Sequence, residues 1–207
     1  MSARALLILC GLLASSAAAA PAIDPQYGDH AVIQRGKPIL LSGDAAPSAQ
    51  VTVSFAGTQK VVTANAAGRW QASFPARQAG GPFTITAVAS DGTAKAGDVK
   101  LGDVWLCSGQ SNMEFPVKRS LNGEAEAEAA DDPDLRVMKV AQQLSQEPQA
   151  RFAKRPQWRP ATPDSVRDFS AACYFMTREL RGSEKVPIGA IDDTWGGTPI
   201  RAWMNEE

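Results

Sequence analysis

From about Gln34 to Leu101 apolar and polar residues alternate in short runs. Val51, Val53 and Phe55 alternate with Thr52 and Ser54, Trp70, Ala72 and Phe74 with Gln71 and Ser73, and Phe83 and Ile85 with Thr84 and Thr86. A period of two puts one face of a strand in a core and the other in water. Turn signals separate the runs at Gly43-Asp44, Ala67-Gly68, Gly80-Gly81-Pro82 and Asp91-Gly92. Short strands at this spacing predict an all-β sandwich over residues 21–101. At Gly102 the pattern changes. Val104-Trp105-Leu106-Cys107 reads as a strand buried on both faces of a parallel sheet. Leu121–Ala130 reads as a helix, Leu135–Val140 as a second strand and Val186–Ile191 as a third. Between the last two, Phe169, Ala172, Cys173, Met176 and Leu180 recur at helical spacing, with Gly182 as the stop. Alternating strands and helices predict an α/β domain with a parallel sheet over 102–207, ending on an unpaired apolar edge. The stretch 141–168, with four prolines, reads as irregular: the rim of a site or a disordered segment.

The first twenty residues stand apart. Arg4, an apolar run from Ala5 to Leu13 and a small-residue tract from Ala14 to Ala20 have the layout of a secretory signal peptide, cleaved near Ala18–Ala22. Cys10 lacks the preceding small residues of a lipoprotein signal, so export to the periplasm or beyond is expected, without a lipid anchor. No apolar run reaches a membrane-spanning length. With 21 basic and 22 acidic residues there is no basic excess to suggest a nucleic-acid partner. His30, the only histidine, reads as a surface or loop residue, and no zinc-type spacing occurs, so neither a metal nor a cofactor is expected. After signal removal two cysteines remain, Cys107 and Cys173, either bridged or free and buried.

Two segments carry chemistry. Ser108-Gly109-Gln110-Ser111-Asn112-Met113 follows the first predicted parallel strand, and ligands of open parallel sheets gather beyond such strand ends. Gly109 permits a sharp turn and Ser111 stands where a nucleophile is useful, given a base. Met113 breaks the Gly-x-Ser-x-Gly elbow, and the alternative is that Ser108, Ser111 and Asn112 only cap a helix. Trp195-Gly196-Gly197-Thr198-Pro199-Ile200 follows the third strand. Thr198 as N-cap and Pro199 at the first helical position predict a helix start, with the Gly196 and Gly197 amides beside its positive end. An ordinary strand-to-helix turn is the alternative.

Taken together, these segments resemble one family. Gly102-Asp103-Val104-Trp105-Leu106-Cys107-Ser108-Gly109-Gln110-Ser111-Asn112-Met113-Glu114 is similar to the signature of the sialate O-acetylesterases, a branch of the SGNH-type serine hydrolases. Val186-Pro187-Ile188-Gly189-Ala190-Ile191, Trp195-Gly196-Gly197-Thr198-Pro199-Ile200 and Ala202-Trp203-Met204 resemble its second block. Val32-Ile33-Gln34-Arg35, Gly68-Arg69-Trp70 and Ala79-Gly80-Gly81-Pro82 resemble its β region. The resemblance implies that Ser111 attacks an acetyl carbonyl, with its own N–H and that of Gly196 or Gly197 holding the oxyanion. Gln110, Asn112, Trp195 and Thr198 become candidate substrate contacts, with Gln110 where the wider group has Asp.

The resemblance also implies a further Gln-Gly-Glu block and a late Asp-x-x-His pair, neither of which occurs in these 207 residues. Asp192 and Asp193 replace small polar residues and bring negative charge near the site. Arg201 replaces a Glu that would complete a capping box. The expected function is a carbohydrate O-acetylesterase acting on O-acetylated sialic acid, with this chain an inactive, poorly folded portion of it. Acetyl xylan or another polysaccharide is the alternative substrate, and a non-catalytic carbohydrate-binding module the alternative function. The oligomeric state is not legible.

Overall fold

A computed structural model describes residues 20–147 and 149–204; the predicted signal peptide falls almost wholly outside them. The protein is mostly β-sheet with few helices. The strands are β1 Ala22–Ile23, β2 Val32–Gln34, β3 Ile39–Asp44, β4 Gln50–Phe55, β5 Thr58–Thr63, β6 Arg69–Phe74, β7 Gly80–Ala89 and β8 Gly92–Gly109, followed by the four-residue helix α1 Ser111–Glu114. Then come α2 Gly123–Glu128, β9 Asp132–Lys139, β10 Trp158–Ala161, α3 Pro163–Val166, α4 Ala171–Glu184 and β11 Ile188–Thr194. One sheet has the order β1-β3-β6; the other runs β10-β9-β11-β8-β7-β4-β5, with β2 also on β8.

The alternating runs form the strands they predict. Val51, Val53, Phe55, Trp70, Ala72, Phe74 and Ile85 point into one core, where Phe55 meets Phe74 and Phe83 edge-on at 5.9 and 5.5 Å. Trp70 is fully buried and its indole N–H donates to the Asp44 carbonyl at 3.0 Å. At the rim of the smaller sheet Arg69 donates a two-pronged pair of bonds to Asp24 and a third, at 3.0 Å, to Asp44. Burial raises the Asp24 carboxyl, but the Arg69 fork and the Ser42 hydroxyl outweigh it and hold the group below its ordinary value. An unfolded chain therefore takes up that proton first as pH falls. The stabilisation is complete above about pH 4 and fades as pH drops through the lowered value. Arg69→Ala strands a carboxylate that is mostly buried, so it is expected to cost about 1–3 kcal/mol at pH 7. In urea unfolding that gap should narrow towards pH 2; a gap independent of pH would refute the assignment.

The most consequential feature is β8. Residues 92–101 pair antiparallel with β7, and residues 103–109 pair parallel with β11, so a single 18-residue strand runs unbroken through Gly102. Gly102 is needed because a Cβ there would overlap the Pro187 carbonyl, which accepts the Asp103 N–H at 3.0 Å. On the other side of β8, β2 pairs only as far as Gly102. Just past that point the Gln34 side chain accepts the Val104 N–H at 2.9 Å, and Arg35 grips Asp103 at 2.8 and 3.0 Å. Further along, β11 is the sole strand partner among the described residues. The expectation that 104–107 is buried on both faces is thus corrected: Trp105 and Leu106 are 42% and 65% exposed, and only Cys107 is buried.

The third parallel strand, β11, lies between β8 and β9, parallel to both. It starts at Ile188 and extends to Thr194, later than predicted, because the polar residues Asp192 and Thr194 find buried partners. α2 is shorter than predicted, entered through Asn122 in the left-handed region, with Leu121 almost fully exposed. α4 does not stop at Gly182; it runs to Glu184 and is closed by Lys185 at φ 54°. Its buried stripe is Ala171, Cys173, Tyr174 and Thr177, whereas Ala172 and Met176 are exposed. The stripe tolerates Thr177 because its hydroxyl donates to the Cys173 carbonyl at 2.7 Å. The stretch 141–168 is not wholly irregular either. β10 pairs antiparallel with β9, and buried Trp158 donates its indole N–H to the Gln26 carbonyl at 3.0 Å, joining this region to the core around Phe55 and Trp70.

Candidate active site

β8 delivers its last residue, Gly109, at φ +136°, and the chain turns through Gln110 into α1. β11 ends beside it in register: Thr194 pairs with Gly109, and the Trp195 N–H donates to the Gly109 carbonyl at 2.9 Å. Two parallel strand ends thus place Trp195-Gly196-Gly197 against Ser111, where a Cβ on Gly196 would lie 3.7 Å from the Ser111 Cα. The two segments singled out in the sequence are brought together by this one register.

Ser111 is exposed at the start of α1. Its hydroxyl donates to Gln110 Oε1 at 2.6 Å, and its N–H reaches the same oxygen at 3.1 Å. A carboxamide oxygen orients a hydroxyl but takes no proton at neutral pH. His30 lies in the turn before β2, its Nδ1 2.9 Å from Asp98. Asn112 is exposed on α1.

The expected helix start after Gly197 is corrected. Ile200–Trp203 is a single 3₁₀ turn led by Pro199, and Thr198 caps nothing. Its hydroxyl instead donates to the Trp195 carbonyl at 2.7 Å and accepts the Trp203 indole N–H at 2.8 Å. A turn of four residues offers no helix dipole of consequence, so Arg201 lies at no helix N-terminus. Of the two glycine amides, that of Gly196 donates to Glu114 Oε2 at 2.6 Å. Gly197, exposed at φ +77°, makes no amide hydrogen bond among the described residues.

Beside this loop is an open cavity of about 540 Å³, walled by Trp195, Trp203, Thr198, Gln142, Phe152 and Asp193. Aromatic faces with a few polar groups suit a sugar ring. The two neighbouring aspartates part company here. Asp192 is fully buried, accepting the Thr194 hydroxyl at 2.6 Å and the Ser170 N–H at 3.3 Å, with Lys139 at 3.4 Å. Only Asp193 reaches the cavity, its carboxyl raised by burial and then by the charge of Asp192. Behind the site Cys107 and Cys173 form a disulfide, Cα to Cα 5.9 Å, tying the end of β8 to α4. Among the described residues no group of three or more His, Cys, Asp or Glu could hold a metal.

Glu114 and Gln142 were missed. Glu114 closes the signature run three residues after Ser111, so one helical turn puts both on one side. That spacing was the available signal. Gln142, which donates to Glu114 Oε1 at 2.6 Å, lies in a stretch without pattern and gave none.

Ser111 is thus exposed where two parallel strands end, and Trp195 and Thr198 of the adjoining loop wall the aromatic cavity. The family model described as "Carbohydrate esterase, sialic acid-specific acetylesterase" matches residues 101–207, and the chain belongs to that family. It is similar to human sialate O-acetylesterase, with 34% identity over 183 residues covering 80% of this chain and 35% of that protein. The mouse sialate O-acetylesterase is 29% identical over 198 residues, covering 86% and 37%. A solved structure of a carbohydrate acetylesterase from Xanthomonas citri superposes with a TM-score of 0.86 at 41% identity, over 89% of this chain and 42% of that one. The chain spans about a third of the length of the curated relatives it matches.

Proposed function

We propose that these residues form the nucleophile half of an exported carbohydrate O-acetylesterase of the SGNH kind, acting on O-acetylated sialic acid. The observation that carries the reading is the exposed Ser111 hydroxyl at the end of β8, held against the Gly196-Gly197 loop by the β8–β11 register. Ser111 Oγ attacks the acetyl carbonyl and its proton passes to a base. The tetrahedral oxyanion is held by backbone N–H groups: that of Gly197, which has no partner among the described residues, and that of Ser111 once it leaves Gln110 Oε1, while the Gly196 N–H stays on the Glu114 carboxylate. The sugar hydroxyl leaves, and water releases acetate from the acyl-serine. Trp195 and Thr198 shape the sugar cavity, while Gln110 holds the resting hydroxyl. Export is supported by the layout of residues 1–20 and by the disulfide, which persists in an oxidising compartment.

Among the described residues no ionisable side chain accepts the Ser111 hydroxyl, which donates to Gln110, and His30 faces Asp98. The base is therefore proposed to come from outside the described residues. A purified Met1–Glu207 protein is expected to hydrolyse an activated acetyl ester no faster than its Ser111→Ala variant. At the length of its curated relatives the enzyme should deacetylate O-acetylated sialic acid, and a serine-directed phosphonate should label Ser111. Ser111-dependent turnover by Met1–Glu207 would place the base inside this chain. Labelling at another serine, or binding of acetylated sugar without turnover, would overturn the enzymatic reading in favour of a binding module.

A further inference from the structure

Resting on that reading, we infer that Glu114 is a positioning residue that clamps the Gly196-Gly197 loop to the nucleophile turn. Each carboxylate oxygen serves a different segment. Oε2 accepts the Gly196 N–H at 2.6 Å and Oε1 accepts from Gln142 Nε2 at 2.6 Å, with that same nitrogen 3.4 Å from the Thr194 carbonyl. Glu114 is itself fixed to the nucleophile turn, its N–H donating to the Gln110 carbonyl at 2.9 Å. One side chain thus joins the end of β8, the loop after β11 and the strand-exit segment after β9. The fit is close on the far side too, because a Cβ on Gly196 would overlap Glu114 Oε2. Gly196 is therefore a glycine to admit a carboxylate, not to expose an amide.

Other roles for Glu114 fail on the same geometry. It is not placed as the base for Ser111, whose hydroxyl donates to Gln110 and makes no hydrogen bond to Glu114. Nor can it stabilise an oxyanion directly, since a carboxylate repels developing negative charge. What remains is placement. A charge-assisted bond fixes the peptide at Gly196, leaving the next amide, that of Gly197, in a set position and without a partner among the described residues. Small displacements of oxyanion donors are costly, on the order of 10²-fold for an ångström.

The test uses the enzyme at the length of its curated relatives, with activated acetyl ester as substrate. Glu114→Ala is expected to lower kcat about 10²-fold with KM changed less than about threefold. Hydrogen exchange in peptides covering Trp195–Thr198 should rise, with protection along β7 and β8 unchanged. Glu114→Gln keeps an oxygen acceptor for the Gly196 N–H and should recover most of both. Gly196→Ala, which evicts the carboxylate, should match Glu114→Ala, and the double variant should be no worse than either. Unchanged exchange at 195–198 in Glu114→Ala and Gly196→Ala overturns the clamp, as does an additive double variant. If exchange responds as expected but turnover survives Ser111→Ala, the esterase reading fails and the clamp stands as a structural device. Should Glu114→Ala fail to fold, the exchange and kcat of Glu114→Gln and Gly196→Ala decide the matter.

Discussion

Ser111→Ala should reduce acetyl-ester turnover in the enzyme by about 10⁴–10⁶-fold while leaving its melting temperature nearly unchanged. The kinetic half follows from losing the attacking oxygen itself: when a serine hydrolase loses its nucleophile, only the oxyanion donors and substrate binding still contribute. The stability half follows from position. Ser111 is exposed, and among the described residues its hydroxyl hydrogen-bonds only the exposed Gln110 side chain, so removing one oxygen costs less than about 0.5 kcal/mol. The Ser111 N–H survives in alanine, so the proposed oxyanion donors are both retained. Measuring kcat/KM beside thermal unfolding separates the two halves. Turnover within tenfold of wild type would remove Ser111 from the chemistry, and a large drop in stability would mean that the residue supports the turn instead.

The candidate nucleophile was legible because its signal is local. Gly109, Gln110 and Ser111 follow an apolar run directly, and a sharp turn after a strand needs no knowledge of the rest of the chain. The strands β4 and β6 were legible for the same reason, since alternation writes one buried face into six residues. What could not be read is what depends on distant partners. The pair Gly102-Asp103 looks like a boundary, yet β8 passes straight through it because Pro187, more than eighty residues later, packs on the glycine. Trp158 looked like part of an irregular stretch, yet its indole seeks a carbonyl at Gln26 and draws β10 onto β9. The face of α4 was rotated in the reading because Met176 is apolar but exposed, while Thr177 is polar but satisfied by its own helix.

Thr198 shows how a strong local signal loses to a tertiary one. Thr-Pro is a good helix start, but the Thr198 hydroxyl is claimed by the Trp195 carbonyl and the Trp203 indole, which fold the segment into a tight turn around the cavity wall. The order β9-β11-β8 is another case: no local pattern says that the last strand inserts between the two earlier ones. That insertion is what sets Gly196 beside Ser111, so the site's geometry is the least local of its properties.

Removing the Cys107–Cys173 disulfide is expected to have the largest effect on stability of any change at the site. The bridge spans 66 residues, and the loop-entropy estimate for a closure of that size is about 4 kcal/mol. For a protein of this size that corresponds to roughly 8–16 °C in melting temperature. The location amplifies the consequence. Beyond Gly102, β8 has β11 on one side and no strand on the other among the described residues, so the end that bears Ser111 is held by β11, by α1 and by this covalent tie to α4. Cys107→Ala/Cys173→Ala should therefore raise hydrogen exchange at residues 104–109 more than in β4, β6 and β7, besides lowering the melting temperature. Both cysteines are buried, so alanine also removes packing; wild type held in reductant controls for that and should lose most of the same stability. Intact mass with and without reduction establishes the bridge independently. Alkylation of both thiols in native, unreduced protein would refute it, and a melting temperature indifferent to reductant would show that β11 and α1 suffice to hold Ser111 in place.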